Sequence, residues 1–156
     1  MKNKFLKILI SLFLFTLPVH AQTFPFDIKR SQLEENGSDL FRKYEEIDLF
    51  TKTMDYGSER SNAVQLLRSA MAITQQILLL TKLMQISELI NDNQNKKTVN
   101  QFAIRECAFL HTILDDFFGQ ANRFYTSFNS GVLREKAKIL GDISRNIRNQ
   151  IRMCAN

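Results

Sequence analysis

The sequence predicts an all-α protein: an antiparallel up-down four-helix bundle with short turns and one helical hairpin clamped by a disulfide. Three observations carry this expectation. Gly is 5 and Pro is 2 in 156 residues, too few turn formers for an all-β or collagen-like chain. Apolar residues recur at helical spacing through four segments separated by polar turns. The apolar seams of consecutive segments match in register about those turns, as antiparallel neighbours require.

Residues 1–21 read as a cleavable signal peptide. A short basic start (Lys2, Lys4, Lys7) leads into the mostly apolar run 8–19, and Val19-His20-Ala21 offers small residues at a cleavage point before Gln22. A membrane-spanning helix needs roughly 20 apolar residues, more than this run supplies before Pro18. The domain is then 22–156, exported to a periplasmic or extracellular compartment. Removing residues 1–21 also removes three cations, so the formal charge falls from +5 to +2. A nucleic-acid partner loses its electrostatic basis at that value.

The first helical segment opens near Asp27, with a break expected at Asn36-Gly37-Ser38 and a restart capped by Ser38. Leu40, Phe41, Tyr44, Ile47, Phe50 and Met54 mark its inner face, and Tyr56-Gly57-Ser58 closes it. The second segment, capped by Ser58 or Ser61, runs to about Ile90 and is densely apolar. A polar turn at 91–95 follows. The third runs from near Lys97 to about Phe128, and the fourth from about Val132 to Cys154 after an Asn129-Ser130-Gly131 turn.

Heptad-like spacing in the third segment selects Ala103, Cys107, Leu110, Leu114, Phe117, Ala121, Phe124 and Phe128. In the fourth it selects Leu133, Ala137, Leu140, Ser144, Ile147, Ile151 and Cys154. Folded about the turn, Phe124 meets Ala137, Phe117 meets Ser144 and Cys107 meets Cys154; each pair of numbers sums to 261. Large residues tend to face small ones, as interdigitating layers need. The second segment pairs with the third in the same way through Met84/Ala103, Ile77/Leu110 and Ala70/Phe117, each summing to 187. Cys107 and Cys154 are the two cysteines. Their equal height and the exported compartment predict a disulfide.

Little in the residues points to catalysis, and the expectation is a non-enzyme without cofactor or metal. His111 is the one histidine after residue 21, which excludes a zinc His pair and a di-iron Glu-x-x-His pair. Gly-rich phosphate loops and Gly-x-Ser-x-Gly elbows are absent. His111, Asp115 and Asp116 are the best cluster, and they read as a surface pair at a bundle edge. Residues 27–59 carry nine acids against five bases, while 132–154 carry six bases against two acids. Complementary helix faces explain this asymmetry, and docking of the basic face on an anionic membrane surface is the less favoured alternative. Asn36-Gly37-Ser38 also fits a glycosylation sequon, relevant in a eukaryotic secretory pathway.

Two features suggest contact with another protein. Phe24 and Phe26 flank Pro25 at the start of the exported chain. Leu67, Met71, Leu78, Leu79 and Leu83 lie off the main seam of the second helix, where an uncovered apolar patch marks an interface. The expected role is therefore an accessory component of a bacterial envelope or secretion assembly. In class, though in no motif residue, the chain is similar to the helical minor-pilus subunits of type IV secretion. Leu80-Thr81-Lys82-Leu83-Met84-Gln85 departs by one place from the Leu-Thr-x-x-Gln motif of helical envelope chaperones. The alternatives are an exported inhibitor or immunity protein that binds a toxin or enzyme, and a carrier of an apolar small molecule in the bundle core.

Overall fold

A computed structural model describes residues 27–155. The expected signal segment 1–21, and Phe24 and Phe26, lie outside the described residues. The described chain is all-helical: α1 Arg30–Lys52, α2 Ser58–Leu89, α3 Asn93–Ser127, α4 Gly131–Gln150 and a closing 3-10 turn, Arg152–Ala155. Each helix packs on the next in the chain, α4 returns against α1, and α2 and α4 touch only slightly.

The seams account for the core. Leu66, Ala70, Ile73, Ile77, Leu80 and Met84 of α2 are buried, as are Ala103, Cys107, Leu110, Leu114, Phe117 and Ala121 of α3. Every seam residue of α4 is buried, from Leu133 to Ile151, and Cys154 follows in the 3-10 turn. Polar ties cross between helices at matching heights. Ser87 donates to Asn100 and Gln76 to Glu106 between α2 and α3. Arg148 of α4 pairs with Asp115 of α3. Glu59, in the first turn of α2, accepts the Ser130 N–H at 2.8 Å and so pins the turn before α4.

Four local expectations are corrected. α1 does not break at Asn36-Gly37-Ser38. Gly37 is buried, and a Cβ there would lie 2.8 Å from Ile77 Cγ2, so the glycine serves a close approach of two helices. Asn36 and Ser38 bond back to the carbonyls of Gln32 and Glu34, which keeps both inside the helix. Neither Asp27 nor a serine caps α1 or α2; Lys29 and Gly57 occupy those positions without a side-chain cap. α3 starts at Asn93 because the Asp92 carboxylate accepts the Asn95 N–H at 2.7 Å, drawing most of the polar turn into the helix. α4 ends at Gln150, and the tighter turn after it carries Cys154. The structure joins Cys154 to Cys107 in a disulfide with a Cα–Cα distance of 5.6 Å.

Candidate functional site

Two apolar surfaces lie on opposite flanks of α2. The first is a groove between α1 and α2 of about 460 Å³. Its floor is the Gly37–Ile77 contact, where the missing Cβ lets the helices draw together. Phe41, Met71 and Leu78 line its apolar walls, and Glu34 and Lys82 supply charges at one end. Leu78 is 59% exposed, so its side chain is presented rather than packed. The second surface lies on the other flank of α2, facing out beside α3. Leu79, Ile86, Phe102 and Phe109 are all exposed there. Farther along, beside Phe109, the same side becomes polar with Gln75, Gln76, Asp116, Gln120 and Arg123 around a groove of about 500 Å³.

The residues expected to form one interaction patch are therefore divided. Met71 and Leu78 line the α1–α2 groove, and Leu79, exposed, lies outside it. Leu83 is half-buried against the core. Leu67 is 4% exposed and is a core residue, so it offers no surface. The cause is helical rotation: four residues from Leu67 to Met71 turn the helix by about 40° past a full turn, enough to leave the shelter of α1. Phe41 differs in the opposite sense: its spacing predicts the inner face, and it lies 37% exposed on the groove wall. Phe102 and Phe109 lie outside the patch that the sequence predicts, and both are exposed. Their seven-residue spacing, off the Ala103–Phe117 seam, was the available signal.

The titratable cluster on α3 does not converge. His111 Nδ1 lies 3.9 Å from Asp115, whose carboxylate also pairs with Arg148. Asp116 points instead to the polar end of the α2–α3 surface. Among the described residues no group of three His, Cys, Asp or Glu side chains is placed to hold a metal ion. The charge asymmetry between α1 and α4 resolves mainly into local pairs. One ion pair spans the two helices, Lys136 with Glu46 at 3.6 Å. Glu46 is also held by Lys43 at 2.8 Å, and the Lys43 hydrogen bond keeps its carboxyl below the usual range, with Lys136 adding to the effect. Arg30 and Lys52 are raised by hydrogen bonds to Glu34 and Asp48 within α1.

Comparison with protein-family models, with characterised proteins and with solved structures finds no match for this chain.

Proposed function

We propose that this chain is an exported, non-enzymatic, up-down antiparallel bundle that acts by contact with another protein, as an accessory part of an envelope or secretion assembly. The observation that supports this most is the α1–α2 groove. It combines apolar walls at Phe41, Met71 and Leu78, of which Phe41 and Leu78 are exposed, with charges from Glu34 and Lys82. That is the pattern of a small interface: an apolar centre that excludes water and a polar rim that sets orientation. Short turns at 53–57, 90–92 and 128–130 support the up-down order, as do cross-ties that fall at similar residue sums. The disulfide supports an oxidising compartment.

The test is affinity capture from extracellular and envelope extracts of the source cell, with the oxidised protein as bait. The expected result is one stoichiometric partner, lost on Leu78→Glu while helical content is unchanged. Co-fractionation with a large assembly identifies an accessory subunit, whereas an isolated one-to-one complex identifies an inhibitor. Recovery of no specific partner, or of a partner indifferent to Leu78→Glu, would sink the groove as the contact site.

A further inference from the structure

The second surface, on the α2–α3 flank, is separate from the groove and has its own chemistry. Four of the twelve exposed large apolar side chains among the described residues stand on this side: Leu79, Ile86, Phe102 and Phe109. Leu79 and Ile86 are seven residues apart and share a face of α2, as Phe102 and Phe109 share a face of α3. The Ser87–Asn100 and Gln76–Glu106 ties hold the two helices side by side, so these faces form one broad surface.

The charges of the stretch 75–109 are sorted. All three of its acids are engaged: Glu88 pairs with Arg30, Asp92 caps α3 and Glu106 bonds Gln76. Lys82 and Arg105 are exposed cations that make no ion pair among the described residues. Lys82 sits between Leu79 and Ile86 in sequence, and Arg105 between Phe102 and Phe109. An anionic plane satisfies both cations at once.

α2 supplies a second observation. It is long and apolar enough to cross a membrane by length and composition, yet only 39% of that apolar window is buried. Its inner half is core, so the surplus apolar residues make a surface and not a span. Exposed leucine, isoleucine and phenylalanine seat in the headgroup–acyl boundary, while Lys and Arg stems carry their charges up to lipid phosphates. We propose that the α2–α3 flank docks reversibly on an anionic bilayer. This leaves the α1–α2 groove open to a protein partner at the membrane surface.

Co-sedimentation with vesicles tests this directly. Phosphatidylcholine vesicles with roughly one-third phosphatidylglycerol should retain the oxidised protein at least tenfold better than phosphatidylcholine alone, and rising salt should erase the difference. Arg105→Gln should weaken retention by about fivefold without touching the core or the groove. Ile86→Glu with Phe102→Ser should abolish it, and Arg105→Gln guards against a folding defect in that double variant. Equal retention on both vesicle types, indifference to Arg105→Gln, or this flank binding only protein would overturn the proposal. Leu78→Glu in the groove should remove the captured protein partner, so failure of one surface is distinguishable from failure of the other.

Discussion

Gly37 and Gly119 make opposite demands on the same substitution. A Cβ at Gly37 would sit 2.8 Å from Ile77 Cγ2, the branch of a stiff β-branched side chain that has little room to give. Overpacking costs about 1–3 kcal/mol, and the gain in helix propensity returns about 1 kcal/mol. Gly37→Ala should therefore lower stability by up to about 2 kcal/mol in denaturant titration, and that cost should shrink in an Ile77→Ala background. At Gly119, inside α3, a Cβ meets nothing within 4 Å. Gly119→Ala should raise stability by about 1 kcal/mol in the same assay. A stabilising Gly37→Ala would mean that α1 and α2 do not approach as closely as described. The sequence marked Gly37 as a helix breaker because local chemistry at Asn36-Gly37-Ser38 resembles a turn. Only the position of Ile77, forty residues away, turns that glycine into a contact.

Glu46 belongs to the same scale. Lys43, and then Lys136 from α4, stabilise its ionised form, so its folded pKa lies below the ordinary value of 4.5. A depressed carboxyl contributes stability that is complete above its unfolded pKa and lost as pH falls through the folded one. The melting temperature should thus fall on acidification below about pH 5, and Glu46→Gln should flatten that part of the profile. The pair is solvent-screened, so the slope should be shallow. An unchanged acid limb in Glu46→Gln would mean that Lys43 and Lys136 do not stabilise the ionised carboxyl in the folded protein.

At the scale of the element, the α3–α4 hairpin is the most constrained part of the chain. Its disulfide spans a sequence separation of 47, and the chain-entropy model gives about 4 kcal/mol for a loop of that size. Cys107→Ser with Cys154→Ser should therefore lower unfolding free energy by about 2–4 kcal/mol, and dithiothreitol should reproduce most of that loss in the parent protein. Equal stability with and without reductant would show that the two sulfurs are not bonded in the folded protein. These seams were the most legible feature of the sequence. Periodicity reports which residues face a neighbour, and α2, α3 and α4 each have a dense neighbour on that side. The ends were less legible, because caps depend on one side-chain bond. Asp92 won the start of α3 over the turn-like run that follows it, and Ile151 tightened the end of α4 into a 3-10 turn. The outer surfaces were least legible. Off-seam position alone does not separate Leu67, sheltered in the core, from Leu78, which stands 59% exposed.

Across the whole molecule, stability should decline toward α1. α2 buries ten residues, with Leu66, Ile73, Ile77 and Leu80 among them, whereas α1 buries five and only Leu33, Leu40 and Ile47 are large and apolar. Apart from Tyr44 and Phe50, half-buried against the core, the remainder of α1 is largely polar. The ion pairs that tie α1 to its neighbours, Arg30–Glu88 and Lys136–Glu46, are surface pairs of the kind that contribute little. α2, α3 and α4 are joined instead by the disulfide, the buried Ser87–Asn100 bond and the Glu59 bond to the Ser130 amide. Local opening follows the weakest set of buried contacts. Amide hydrogen exchange should therefore show α1 opening first, with α2 and α3 protected to the global limit. Leu40→Ala should widen that gap, since a large-to-small change in a wholly buried position costs about 2–5 kcal/mol and falls mainly on α1. Protection of α1 equal to that of α3 would mean that the four helices open as one unit. The gradient also bears on the proposed contact, because α1 forms one wall of the groove. A partner seated against Phe41, Met71 and Leu78 binds only the closed form and must raise α1 protection by mass action. A vesicle docked on the α2–α3 flank should leave α1 exchange unchanged, so one exchange experiment separates the two surfaces.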